Sequence, residues 1–331
     1  MEHKDIWRAW GRILQGYRPF LSIEITKRCP LSCPGCYAYQ PNHVNGIPLE
    51  EIGEYTDVDL IDRVLELVDE HRPLAVYLVG GEPLVRHREL SILLPELLRR
   101  RVKVEVVTSA VRPIPAEWRR LDNLSIVVSV DGLQPEHDAR RRPATYDRIL
   151  AHIAGHKIIV HCTVTAQMTR RPGYLEEFFD FWSRRLEVTS IRISLFTPQQ
   201  GESSAEILAP TQRRRVIDEL SRLRPLYPKV RLTSRMLDAY REPPGNPDNC
   251  IFSKVTHCIS SDLESPISPC QFGGTPDCTQ CGCVATVGLD ALGRTTLGGI
   301  RLRNILSVSS WVGAAMDRLR RAANGPSGPT G

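Results

Sequence analysis

Lysine is scarce in this chain of 331 residues: of its 43 basic residues only six are lysine, and the rest are arginine. The bias runs through the whole composition and the net charge of +5 comes from scattered residues, so nucleic acid is not an expected partner. Runs such as 99–101, 140–142 and 213–215, all arginine, read as solvated helix faces. Long apolar runs are missing too. No stretch approaches the ~18–20 apolar residues of a membrane span. Residues 1–20 hold no apolar segment of signal-peptide length. The cytosol is therefore the expected compartment. There, ten cysteines argue for metal or redox chemistry and against a disulfide framework.

Nine of those cysteines fall into two groups, three at 29–36 and six at 250–283, while Cys162 stands alone in an apolar run and reads as core. The first group is Cys29-Pro-Leu-Ser-Cys33-Pro-Gly-Cys36. Three thiolates at this spacing can ligate three irons of a [4Fe–4S] cluster and leave the fourth iron open. A structural zinc ion wants a fourth ligand close by; the next soft donor along the chain is His43, and the next cysteine is Cys162. A three-ligand site with one open position is a site for chemistry.

From residue 21 strand and helix patterns alternate. The sequence predicts strands at 21–26, 74–79, 102–107, 124–130, 157–165 and 190–196. Between and after them apolar residues recur at helical spacing. Leu60, Ile61, Val64, Leu65 and Val68 follow a cap at Thr56 or Asp57, and Leu175, Phe178, Phe179 and Trp182 form another stripe. Six β–α units in series imply an α/β fold, a partial (β/α)6 TIM-like barrel over residues 21–225. Apolar strands of this kind are expected to be covered on both faces. The unusual residues follow strand ends: the cysteines, Gly80-Gly81-Glu82-Pro83, Thr108-Ser109 and Asp131. In such folds the C-terminal rim is where catalytic loops gather.

The ends of the chain read differently. Residues 3–20 are predicted as one amphipathic helix, with Ile6, Trp10 and Leu14 on a stripe and Trp7 and Ile13 beside it. Such a helix caps the core or makes peripheral contact with a lipid surface. After residue 225 the pattern breaks. Residues 226–323 read as a small cysteine-rich extension, with a Pro/Gly-rich turn at 240–247 and a short helix around 310–323. Residues 324–331, rich in glycine and proline, read as a disordered tail.

Together these segments resemble the radical S-adenosylmethionine (SAM) superfamily. The likeness rests on the three-cysteine loop after the first strand, on Gly80-Gly81-Glu82-Pro83 after the second, and on Ser129-Val-Asp131-Gly132 followed by His137-Asp-Ala-Arg-Arg141. It covers residues 20–225. The resemblance implies a [4Fe–4S] cluster on Cys29, Cys33 and Cys36 whose open iron is chelated by SAM. One electron then breaks a carbon–sulfur bond and releases a 5′-deoxyadenosyl radical. It also implies SAM contacts at Gly80, Gly81, Glu82 and Pro83, with Glu82 or nearby carbonyls accepting from the ammonium group. Ser129, Asp131 and Arg141 are implied around the ribose and carboxylate; an arginine fork suits a carboxylate. The superfamily often carries an aromatic residue before the third cysteine. This chain has Gly35 there, which leaves the adenine contact to the backbone at Gly35 or to Tyr37.

The second cysteine group, Cys250-x7-Cys258-x11-Cys270-x7-Cys278-x2-Cys281-x-Cys283, is similar to SPASM or twitch extensions. The resemblance implies one auxiliary [4Fe–4S] cluster on Cys258, Cys270, Cys278 and Cys281, with a four-cysteine zinc site as the alternative. Cys250 and Cys283 are left as substitute ligands, or as a catalytic thiol that quenches a substrate radical with a hydrogen atom. The expected enzyme is an oxidoreductase, isomerase or transferase reduced by a protein such as flavodoxin or ferredoxin. Its expected substrate is a small molecule, carbohydrate or lipid. A fused peptide-recognition domain is not expected, because so little precedes the first strand, which places a peptide substrate second. A non-catalytic iron–sulfur or zinc scaffold is the remaining alternative.

Overall fold

Alternating residues in the strands and residues three or four apart in the helices meet in one core. The computed structural model describes residues 3–143 and 146–324. The chain opens with α1 (His3–Leu14) and enters β1 (Phe20–Glu24), α2 (Asp57–His71), β2 (Ala75–Val79), α3 (His87–Arg99), β3 (Lys103–Thr108) and β4 (Leu124–Ser129). It continues through α4 (Glu136–Arg140), α5 (Tyr146–His152), β5 (Ile158–Val164), α6 (Tyr174–Arg184), β6 (Val188–Leu195) and α7 (Pro210–Leu223). The extension holds α8 (Ser234–Arg241), α9 (Ile251–Val255), β7 (Thr256–Ile259), α10 (Val284–Gly293), a small hairpin of β8 (Thr296–Leu297) and β9 (Ile300–Arg301), and α11 (Leu302–Asn324).

Seven strands form one parallel sheet in the order β6-β5-β4-β3-β2-β1-β7. The six strands expected from the sequence are all present, and the barrel is partial and open. The seventh was not foreseen. β7 lies among the cysteines of the extension and pairs with β1, placing Cys258 opposite Ser22. The extension thus adds a strand to the barrel sheet.

The expectation that both strand faces are apolar is corrected. On the helix side Leu21, Ile23, Val76, Leu78, Val104, Val106, Ile126, Val128, Val160 and Cys162 are buried in one cluster with the helices. The concave side is polar. Ser22, Tyr77, Glu105 and Ser125 share one row of the register, and Ser129, His161 and Arg192 another. Curvature brings β3 and β6 together across this face, where Arg192 pairs with both oxygens of Glu105 at 2.8 Å. A lining of hydroxyls and charges suits a chamber that receives a polar molecule, whereas an apolar lining would fill itself.

The first helix is shorter than predicted. It stops at Leu14; the chain turns at Gly16, where φ is +84°, and Phe20 already belongs to β1. The last helix is longer, running from Leu302 to Asn324. The tail expected at 324–331 lies outside the described residues, apart from Asn324 at the end of α11. No described helix is long and apolar enough to cross a membrane.

Candidate active site

The three cysteines leave β1 on a loop that the rest of the rim grips. The buried Thr26 hydroxyl bonds Glu54, which also accepts from the Lys27 N–H (3.1 Å) and pairs with Arg28 and Arg86 (2.9 Å each). Burial works against the Glu54 carboxylate, but Thr26, Arg86 and Lys27 outweigh it and hold its pKa below the usual value. On the other side, Gly81 N–H donates to Thr26 O (2.7 Å) and Glu82 N–H to Arg28 O (2.8 Å). A Cβ at Gly81 would stand 2.3 Å from the Arg28 oxygen, and one at Gly80, where φ is +125°, would stand 2.5 Å from the Thr26 oxygen. These glycines were expected to admit a ligand. They admit the stem of the cysteine loop.

Glu82 is also redirected. Its Oε1 accepts from Leu84 N–H (2.9 Å) and the Thr108 hydroxyl (2.5 Å), and its Oε2 from the N–H (2.7 Å) and hydroxyl of Ser109. Four donors fill the acceptor sites of a carboxylate. At 1% exposure, the side chain has no face left for an ammonium group. Glu82 braces the end of β2 to the end of β3, and the neighbouring Pro83, buried, opens the turn that follows. Only the alternative reading of this motif, backbone carbonyls as acceptors, survives.

Asp131 is a second brace. Its Oδ1 accepts from Thr163 N–H (2.9 Å), and its Oδ2 pairs with Arg140 and with Arg141 Nε (2.8 Å). Burial opposes its charge, and the two arginines nonetheless hold its pKa far below the usual carboxylate range. A direct contact with SAM is therefore not open to this side chain. Arg140 continues to Glu206 in a two-pronged pair at 2.7 and 3.0 Å. Arg141 differs. Asp131 engages its Nε, while Nη1 and Nη2 have no hydrogen-bond partner among the described residues, and Cys33 lies within its electrostatic reach. Arg142 is exposed and bonds Ala139 O through Nε (3.0 Å). Of three consecutive arginines, Arg141 alone carries an open fork to the cysteines. Ser129, mostly buried, ends β4 on the concave face beside His161.

The thiols themselves are crowded and desolvated. Burial pushes Cys29 up to about 12, with Glu82, Cys33 and Cys36 adding to it. Cys33 and Cys36 are also raised, by burial first, while Arg141 and Arg140 pull both the other way. Three neighbouring half-buried thiols with raised pKa values are a poor set of free thiolates and a good donor set for a positive iron–sulfur centre, which their residue types and loop fit. A cleft of about 320 Å³ opens beside Cys29, lined by Arg28, Pro30, Val85, Arg86 and Arg112.

Tyr37 is not placed for adenine. It turns from Cys36 toward the extension, packs edge-on to Phe272 (5.4 Å) and tilts over His43 (5.6 Å), with Cys258 and Cys283 nearby. It stands between the two cysteine groups. Beside it, His43 Nε2 meets Glu24 Oε1 at 2.7 Å and His43 Nδ1 donates to Phe272 O at 3.1 Å. Burial would lower the pKa of His43, but Glu24 raises it. The residue that faces Gly35 is Phe196, just after β6. A Cβ at Gly35 would fall 2.6 Å from Glu206 Oε2 and 2.9 Å from the Phe196 ring. Phe196, Glu206 and the Glu24–His43 pair were not foreseen. Their partners lie far away in sequence, although Gly35 in a position where an aromatic residue is common was itself a hint of a substitute.

The six tail cysteines are brought into one neighbourhood. Cys283 lies within electrostatic reach of Cys250, Cys258, Cys270 and Cys281, and Cys278 within reach of Cys250 and Cys281. Cys283 stands at the N-cap of α10, and its sulfur accepts from Gln271 Nε2 at 4.0 Å. It occupies the middle of the group from which it was set apart as a spare. Arg213 clamps this loop to α7, donating to the carbonyls of Tyr240 (3.0 Å), Gln280 (2.9 Å) and Cys281 (2.8 Å). Among the described residues no three His, Cys, Asp or Glu side chains converge closely enough to hold one metal ion. In an iron–sulfur cube each thiolate binds its own iron.

A comparison with protein families matches residues 23–166 to the radical SAM superfamily. Residues 23–166, less than half of the chain, are thus similar to that superfamily. Among curated relatives, the PqqA peptide cyclase of Granulibacter bethesdensis is 32% identical over 101 residues, 30% of this chain and 25% of that one. The chain thus spans about a quarter of the length of that relative. Among solved structures, anSMEcpe with bound AdoMet superposes with a TM-score of 0.59 at 15% identity, over 88% of this chain and 84% of that chain. Streptococcus suis SuiB bound to the precursor peptide SuiA gives 0.55 at 15% identity, over 78% and 61%. At such identities the two structures share the radical SAM fold with this chain.

Proposed function

We propose that this chain reductively cleaves SAM at a [4Fe–4S] cluster on Cys29, Cys33 and Cys36. The resulting 5′-deoxyadenosyl radical abstracts hydrogen from an unactivated carbon of the substrate. The open fork of Arg141 carries the reading. A guanidinium is fixed by Asp131 at one nitrogen, has no hydrogen-bond partner at the other two among the described residues, and lies within electrostatic reach of Cys33. That is the arrangement to receive a carboxylate next to an open iron. Phe196, beside Gly35, supplies the aromatic surface that the cysteine loop lacks. When bound, the cluster supplies the single electron that breaks the carbon–sulfur bond of SAM. Arg28 and Arg112, the exposed arginines of the Cys29 cleft, suit an acidic donor such as flavodoxin or ferredoxin. The tail thiols, with Cys283 now among the ligand candidates, are proposed to hold one auxiliary [4Fe–4S] cluster.

The concave face, with Ser22, Tyr77, Glu105, Ser125 and Arg192, supports a substrate that hydrogen-bonds, such as a carbohydrate-like small molecule. A peptide is the second reading. It is favoured by the PqqA peptide cyclase and by SuiB, whose structure holds a precursor peptide.

The test is anaerobic reconstitution, an iron and sulfide count, and a search for 5′-deoxyadenosine after dithionite and SAM. Two cubes correspond to about eight irons per chain, and Cys33→Ala should lose both the catalytic cluster and all 5′-deoxyadenosine. About four irons with one zinc would make the tail structural. A folded Cys33→Ala protein that still yields 5′-deoxyadenosine would overturn the assignment.

A further inference from the structure

One surface of the molecule is apolar and lies outside residues 23–166. α1 and α11 touch along their backbones: a Cβ at Gly313 would fall 2.0 Å from Ile13 O, and Trp10 Nε1 donates to Ser309 Oγ at 2.7 Å. Ala9 and Ile13 point inward and are buried. This pairing settles the inner side of α1 and leaves an outer side unaccounted for. Trp7 is 59% exposed, Trp311 70% and Val308 65%; Leu14, Val312 and Met316 are exposed as well. On α11, Val308, Val312 and Met316 recur every four residues with Trp311 alongside. They form a sector wider than the ~100° that a core-facing helix needs to bury. Trp7 stacks on Trp10 at 5.3 Å, so the indole is held in place although it faces solvent.

Among the described residues, exposed arginines border this sector. Arg8 on α1, Arg301 just before α11 and Arg318 near its end are exposed. The described carboxylate of α1, Asp5, is buried and paired with Lys103 at 2.7 Å. Exposed indoles beside arginines on a helix that is polar elsewhere are the composition of an element lying in the interface of a membrane. A second copy fits less well. Six exposed apolar side chains fall short of the ~20–30 residues a side of a stable protein interface.

We propose that α1 and α11 together dock the molecule on an anionic lipid surface, with Trp7 and Trp311 entering the headgroup layer. The proposal stands apart from the cluster chemistry. The reconstituted full-length protein is mixed with vesicles of phosphatidylcholine alone or with phosphatidylglycerol, and binding is read by flotation at low and high salt. The expected result is flotation with phosphatidylglycerol vesicles that weakens with salt. It should fall at least about tenfold in Trp7→Ser/Trp311→Ser and in Arg8→Glu/Arg318→Glu, with 5′-deoxyadenosine formation in solution unchanged. Failure to float overturns the proposal, as does flotation that both double variants retain. A dimer in light scattering that the tryptophan variant dissolves would assign the face to a second copy and overturn it too.

Discussion

Arg140 and Arg141 are neighbours in sequence and opposites in role. Arg140 is 10% exposed and wedged between two buried carboxylates, Asp131 and Glu206. Removing it leaves Glu206 without its cation and Asp131 with Arg141 alone, and stripping a buried carboxylate of its partner costs about 3–5 kcal/mol. Arg141 gives one nitrogen to Asp131 and keeps its fork open. Arg140→Gln should therefore lower the chemical unfolding midpoint sharply. Arg141→Gln should leave that midpoint near wild type and raise the SAM concentration needed for half-maximal 5′-deoxyadenosine formation. Equal loss of stability in both variants would remove Arg141 from the SAM site. Nothing in the run Arg140-Arg141-Arg142 tells these roles apart. What tells them apart is Glu206, brought from beyond β6 by the fold. The cysteines were legible for the opposite reason, since their chemistry lies in their own spacing.

At the scale of elements, the mouth of the barrel is made by strand ends lying on one another. The end of β2 rests on the stem of the cysteine loop so closely that a methyl group at Gly81 would overlap backbone atoms of Arg28 and Lys27. Backbone cannot swing aside as a side chain does, and overpacking of this kind costs about 1–3 kcal/mol. Gly81→Ala should therefore destabilise the protein and lower iron loading of the first cluster. Gly288→Ala, in α10 with open space around it, should match or exceed wild type in stability. Unchanged iron content in Gly81→Ala would mean that the loop keeps its shape without this contact. The strands themselves were readable because each is an apolar run bounded by turns. Their polar concave face was also written in the letters, as in Ser190-x-Arg192-x-Ser194, but the apolar majority hid it. β7 could not be read, because the four residues Thr256–Ile259 are too short for a period and two of them are a histidine and a cysteine.

For the whole molecule, acid is the condition that the structure resists least. His137 and His161 are each held down to about 4, chiefly by burial, with Arg141 adding to it. His257 is also held at about 4, by burial and by the nearby His71 and Arg18. The geometry agrees for His137, whose Nδ1 accepts the Asp131 N–H at 3.1 Å and so carries no proton. Unfolded histidine titrates near 6.5. Between pH 6.5 and 4 the unfolded chain therefore binds more protons than the folded one, and stability falls as pH falls, by about 1.4 kcal/mol per pH unit for each extra proton. His43 works the other way, because Glu24 raises its pKa against burial and favours the folded form in acid. His156, lowered by burial and by Arg119, adds to the three, and four groups against one leave a net loss. Asp131 and Glu54, both lowered despite burial, add their loss only below the usual carboxylate range near pH 4. Urea midpoints of the metal-free chain should be level above pH 7 and fall between pH 6.5 and 4. His161→Gln, which keeps a polar partner for Ser194 (2.8 Å from His161 Nε2), should make that fall shallower. Midpoints that stay level down to pH 4.5 would mean that these histidines take up protons without opening the fold, and the concave face would then be wetter than its packing implies.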